Sequence, residues 1–180
     1  MSTAAIEPLT GEVVEEADVA EYDPRHDSEA LLLSALLWAG QRGDLSPVRH
    51  ALAIIEPADF YRPPYARVCA IIAERAERDI PTDSASVIAT LSAQGARNGM
   101  TRRDATELMA TLLGLQANDL LAAEYARQVL SLSYRRQFQR MVARLAQIAH
   151  EAPEEELFAH LVECGRQQRT AWQRYSTKRD

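Results

Sequence analysis

The side chains able to do chemistry are sparse in this 180-residue chain, and their spacing matches no reaction. His26, His50, His150 and His160 are scattered, and His160 follows His150 across a predicted turn, unlike the short ligand spacings of a structural zinc site. Cys69 and Cys164 lie far apart. In a reducing compartment two such thiols are expected as small buried apolar groups, not as a disulfide or a metal pair. No serine or cysteine has a base placed to activate it. A nucleotide-driven motor needs the loop G-x-x-x-x-G-K-[ST], whose lysine reaches the phosphates. The one lysine is Lys178, and no glycine loop precedes it. The chain is therefore expected to have no catalytic residues, no metal and no cofactor, and to act through contacts.

Charge is distributed unevenly along the chain. Residues 1–30 hold nine acids against one arginine, residues 31–124 are nearly balanced, and residues 125–180 hold ten bases against six acids. The net charge of −6 is thus mostly an acidic N-terminal segment, and the C-terminal third is mildly basic. Arg135, Arg136, Arg140 and Arg144 could follow a nucleic-acid backbone. A solvated helix face, or salt bridges to a partner's glutamates, is the preferred reading, so DNA binding is expected to be weak or indirect. No apolar run reaches the roughly 18 residues needed to cross a bilayer, and the acidic start lacks the pattern of a secretion signal. The expected location is cytoplasmic, with no membrane contact.

The elements that must position these groups all read as helices, because no stretch alternates apolar and polar long enough for a strand. The expected fold is all-α: a compact bundle of about five short helices followed by a long protruding αα-hairpin. Residues 1–23 read as a disordered acidic tail, 24–117 as a helical body, 118–176 as the hairpin and 177–180 as a tail. Helices are expected over His26–Gly40, with Gly40 as its stop, over 47–55 with Ser46 as cap, from Pro63 to about Arg78, from an Asp83 or Thr82 cap to Gln94, and over 102–113. A breaker-free helix then runs from about Asp119 to His150, about 45 Å at 1.5 Å per residue, longer than a small domain is wide. Along it Tyr134, Phe138, Met141, Leu145 and Ile148 step 4, 3, 4, 3, a coiled-coil-like seam. After Glu151-Ala152-Pro153, a second helix carries Leu157, Leu161, Cys164, Trp172 and Tyr175 on one side. So short a loop forces the two helices antiparallel. Such a hairpin has apolar surface left over, which a partner chain would cover.

Several segments, in order, resemble the N-terminal domain family of the bacterial replicative (DnaB-type) DNA helicase. Ala58-Asp59-Phe60-Tyr61-Arg62-Pro63 is similar to its DFYrP signature, and Glu29-Ala30-Leu31-Leu32 to its first helix. Ile80-Pro81-Thr82-Asp83-Ser84 with Val87, then Leu91 and Gly95, resemble its next loop and helix. Tyr125-Ala126 with Val129 and Arg136 resembles a "YA-x-x-V…R" pattern in its long helix. The resemblance covers roughly 24–150 and continues weakly over 153–175. The histidine that usually follows the DFYrP proline is replaced, with Tyr65 nearby, Asn98-Gly99-Met100-Thr101 stands where a "GG-x-x-Y-L" pattern is usual, and the second hairpin helix lacks the "AE-x-x-if" pattern.

Read as residues, the signature positions are structural: Phe60 and Tyr61 as core anchors after a turn, Asp59 as an Asx-type acceptor, and Asp83 as a helix cap. Arg136 is either a solvated charge or a tie between hairpin and body. The resemblance implies a collar: hairpins pair into dimers, dimers form a ring, and the ring docks primase. It implies self-association through Tyr134, Phe138, Met141 and Leu145 with Leu157, Leu161 and Trp172, and binding to a replicative helicase or primase. Because the chain ends where the family places its motor, no ATP hydrolysis or unwinding is expected from it. Two other readings stand beside this one: the N-terminal fragment of a full ATP-dependent helicase, and a nucleic-acid-binding accessory protein using the basic hairpin.

Overall fold

A computed structural model describes residues 22–95 and 100–179. Of the tail expected over 1–23 only Tyr22 and Asp23 are therefore described, and Asn98 and Gly99 also lie outside. Among the described residues there are seven α-helices and no strand. The first helix, α1 (Ser28–Gln41), starts where the Asp27 carboxylate accepts from the Glu29 N–H at 2.8 Å. Its sequence is apolar nearly all round, and such a helix belongs in the centre of a domain. Ten of its fourteen residues are buried, among them Leu32, Leu33, Leu36 and Leu37. It is wrapped by α2 (Ser46–Ile54), α3 (Pro63–Glu77), α4 (Ser84–Gln94), α5 (Arg102–Gly114) and the first half of α6 (Ala122–Glu151).

The caps follow side-chain chemistry closely. Asp83 accepts from the Ser86 N–H at 3.0 Å and starts α4. Thr101 and Asp104 form a reciprocal capping box at the start of α5. Pro63 and Pro64 open α3, where their missing N–H groups cost nothing. Three expectations are corrected. Residues Pro24–His26 form a separate 3-10 turn before α1. Ser46 lies inside α2, and the group accepting from its N–H is the Asp44 carboxylate, at 2.9 Å. Gly40 does not stop α1. The helix runs on to Gln41, and the left-handed turn is made by Gly43, at φ +72°.

Gly40 serves close approach instead. A Cβ there would fall 2.5–2.7 Å from Thr82, whose residue is fully buried in the loop before α4. The glycine thus lets the Pro81–Asp83 loop lie directly on α1.

Beyond the body, α6 continues for 30 residues in all, after a 3-10 turn over Asp119–Leu121 where a continuous helix was expected. Its buried residues, Ala122, Ala126, Val129, Leu130 and Ser133, all lie in its first half. The second half packs along α7 (Glu154–Lys178), which returns antiparallel and runs one turn past Arg174. Three glutamates occupy the first turn of α7, where carboxylates favour the helix dipole. Gly40→Ala is expected to lower stability by about 1–3 kcal/mol, the range for overpacking, and urea unfolding would measure it. An unchanged midpoint would mean that the loop moves aside freely.

Candidate interaction surface and its buried anchor

The centre of the arrangement is a carboxylate. Asp59 is 1 % exposed and ends a 3-10 turn over Pro57–Asp59. Its Oδ2 accepts from the Glu56 N–H at 2.9 Å, the local turn bond that its sequence predicts. The remaining partners come from the hairpin. Ser133 of α6 donates its hydroxyl to Oδ1 at 2.8 Å. Arg174 of α7 grips both carboxylate oxygens as a fork, at 2.8 and 2.5 Å, and lies 3.4 Å from Glu56. Arg136 of α6 donates to the Asp59 backbone carbonyl and stands 3.4 Å from Glu29. Arg136 is thus the tie between hairpin and body, not a solvated charge.

Burial alone would raise the pKa of Asp59. The Arg174 fork, the Glu56 N–H and the Ser133 hydroxyl outweigh it and hold the group below the usual aspartate range. Glu29, also buried, accepts from the backbone N–H groups of Tyr61 and Arg62 at 2.7 and 3.3 Å. Its pKa moves the other way: desolvation wins over those two bonds and raises it. The DFYRP segment is therefore held from both ends, by Glu29 of α1 beneath and by α6 and α7 beside it.

The signature residues divide between core and surface. Phe60, Asp59 and the α1 residues around Glu29 are buried. Tyr61 is not the core anchor expected, because it is 67 % exposed with the Arg136 guanidinium 5.6 Å from its ring. Pro81 is exposed, and its carbonyl accepts from Arg75. Tyr125 is half-buried against the core. Tyr22, Asp27, Arg62 and Tyr65 form a cluster at the edge of the body. In it the Tyr22 hydroxyl bonds Asp27 and Tyr65 at 2.6 and 2.7 Å, and the Arg62 guanidinium lies over the Tyr22 ring. No sequence pattern pointed to it.

The seam residues separate into two sets. Tyr134 stacks on Tyr175 at 4.9 Å and meets Trp172 at 5.8 Å, so the base of the hairpin is closed by an aromatic cluster. Met141, Leu145 and Ile148 are half-buried, as is Leu157 across from them, and Cys164 is buried. Those residues hold the hairpin to itself. Phe138, Leu161 and Trp172 stay largely exposed, joined by Val142 and Phe158, all between 45 and 75 %. At 3.6 residues per turn, Phe138 and Val142 are offset from the α6 seam in the same rotational sense as Phe158, Leu161 and Trp172 from the α7 seam. In two antiparallel helices that face each other, equal offsets point to the same flank. The five therefore share one apolar face.

Of the chemically able residues, Cys69 is fully buried and its thiol is pushed up to about 12 by desolvation. Among the described residues no three His, Cys, Asp or Glu side chains converge as a metal site would require, and no helix is long and apolar enough to cross a membrane. Lys178 donates its ammonium to the Ala53 carbonyl at 2.7 Å, fastening the end of α7 to α2.

The chain is thus an all-helical body around one buried helix, with a hairpin anchored to it by an ion pair to the buried Asp59 carboxylate. Residues 23–131 match the family model described as DnaB-like helicase N terminal domain, and the chain belongs to that family. Its fold is similar to the crystal structure of the N-terminal domain of DnaB helicase from Mycobacterium tuberculosis, at 23 % identity and TM-score 0.65, over 80 % of this chain and 95 % of that one. No curated protein matches it. The family match ends at Ser131, before α6 leaves the body.

Arg174→Ala strands a buried carboxylate and is expected to cost about 3–5 kcal/mol, whereas removing both charges in Asp59→Ala/Arg174→Ala costs less than the sum of the two single changes. A denaturant double-mutant cycle reads this directly, and additive losses would show the pair to be uncoupled. Because the folded pKa of Asp59 is depressed, its contribution is present above the ordinary aspartate value and is lost as pH falls through the folded one. The stability gap between the parent and Asp59→Asn should therefore narrow below about pH 4; a gap constant with pH would refute it.

Proposed function

We propose that this chain is a non-catalytic interaction module of DNA replication, with a body over 24–117 and a hairpin over 118–176 that associates with a second copy of itself. The observation that supports it is the shared apolar flank of Phe138, Val142, Phe158, Leu161 and Trp172. Monomeric proteins rarely leave contiguous apolar area of this kind to water, and aromatic residues dominate protein interfaces. The interface differs from the one read off the seam. Tyr134, Met141, Leu145 and Leu157 hold the two helices of one hairpin together, so the partner hairpin is met by Phe138, Leu161 and Trp172 with Val142 and Phe158. The further partner is a replicative helicase or primase, in keeping with the family to which the chain belongs.

Contact, not catalysis, also fits the placement of the charged groups. Arg136 and Arg174 are spent on Asp59 and Glu29, and Arg135 and Arg140 lie five residues apart, about 140° around the helix. Only Arg140 and Arg144, one turn apart, remain together on one face, a track of two charges for a phosphate backbone.

Sedimentation of the intact chain at micromolar concentration is expected to give a multiple of its 20.1 kDa mass, and Phe158→Glu or Leu161→Glu should return it to 20.1 kDa with helicity unchanged. A parent chain that stays at 20.1 kDa throughout that range would sink the self-association. Mixing experiments with the purified helicase and primase of the source cell would separate the two proposed partners.

A further inference from the structure

The other flank of the hairpin is polar, and self-association leaves it free. Arg140 is two residues from both Phe138 and Val142, about 200° away around α6. With Gln137 and Arg144 of α6 and Gln167 and Gln168 of α7, it lines a cleft of about 240 Å³ beside the buried Cys164. Through Gln137 and Gln167 the cleft continues into a second one of about 220 Å³ that ends at Arg174 and Glu56, against the body.

Its donors exceed its acceptors. Gln167 gives its amide to Glu163 on the rim, at 2.9 Å. Arg140 and Arg144 make no ion pair among the described residues, and the Gln168 Nε2 is shut from solvent without a hydrogen-bond partner among them. Each guanidinium carries five N–H donors, and a buried amide donor left unmade costs free energy. Carboxylates are the groups that would satisfy such a set. A phosphate would meet the same donors, but the chain's own carboxylates are held near them by their tether.

The chain supplies carboxylates of its own. Residues 1–21 contain Glu7, Glu12, Glu15, Glu16, Asp18 and Glu21, and no lysine or arginine. The segment joins the body at Tyr22, whose ring lies under the Arg62 guanidinium. The backbone N–H of Arg62 bonds Glu29, and Glu29 faces Arg136, one helical turn below Arg140. From Tyr22 to Arg144 is therefore on the order of 30 Å, and 21 residues of chain reach up to ~70 Å. Tethering holds such a segment at an effective concentration of about millimolar, so individually weak contacts suffice.

We propose that residues 1–21 dock their carboxylates into the arginine–amide groove of the hairpin, on the flank opposite its apolar face. Docking satisfies Arg140 and Arg144, and it covers the positive side of the hairpin with the chain's own negative segment.

The test uses the full chain with a nitroxide on Val14→Cys, since Cys69 and Cys164 are buried. In nitrogen-15 spectra the side-chain amides of Gln137, Gln167 and Gln168 are expected to lose most of their intensity at low salt. They should recover it near 1 M salt, where the screening length falls to about 3 Å. They should also recover it in Arg140→Ala/Arg144→Ala, a change to the best helix former that circular dichroism can verify as folded. Equal intensities with oxidised and reduced label overturn the proposal, as does broadening that survives the double substitution. Broadening seen only between labelled and unlabelled copies in a mixture also overturns it, because the occupant is then the segment of another molecule.

Discussion

A carboxylate removed from water cannot be left alone, and the structure is organised around meeting that demand at Asp59. Its countercharge, Arg174, comes 115 residues later in the chain. The short helices and the first half of α6 cover α1 without help from α7. The Asp59 site cannot be closed without it. Once Arg174 must reach Asp59, α7 has to return to the body, and the turn at Ala152 and Pro153 has to reverse the chain fully. Ser133 and Arg136 bind the same loop from α6, so the two helices of the hairpin are referenced to one point. The pair is less a source of net stability than of geometry, because desolvating both charges consumes most of their attraction.

From that reference follows the division of the hairpin into an inner seam and two unlike flanks. Two helices packed only on each other bury one stripe apiece, and everything else on them faces outward. The inner stripe of Tyr134, Met141, Leu145, Leu157, Cys164 and Tyr175 holds the pair. One flank is aromatic and aliphatic, and the other carries guanidinium and amide groups. Apart from Trp172, which also packs on Tyr134 and Tyr175, and Arg174, which holds Asp59, the flank residues face outward.

Much of the fold was legible in the sequence because helices announce themselves locally. The cap at Asp83, the proline start of α3 at Pro63, and the uninterrupted run from Ala122 onward each depend on neighbours within four residues. Errors fell where two signals compete over a few positions. Gly40 has the composition of a stop, but its lack of a side chain serves contact with Thr82, and only a tertiary neighbour reveals that. Tyr61 follows a buried Phe60, and one residue of phase decides which of the two faces inward. The anchor was only half legible. Asp59 reads as a turn residue, which it is, but a pairing with Arg174 leaves no periodic trace. A buried acid implies some countercharge and does not say which of twenty bases provides it. The 4–3 stepping of the seam marks both the residues that face α7 and those that flank them, so it does not separate Phe138 from Met141.

The first turns of α6 are built into the body, and the last eighteen or so residues stand clear of it as a stiff arm of about 27 Å. There is no hinge between core and arm, since no glycine or proline interrupts the helix from Ala122 to Glu151. A tilt of about 10° at the base would carry the tip roughly 5 Å sideways, given that length. Small repacking around Ser133 and Asp59 is thereby magnified at the far end, and a load applied at the tip is felt in the core. The Asp59–Arg174 pair sits at the foot of that arm.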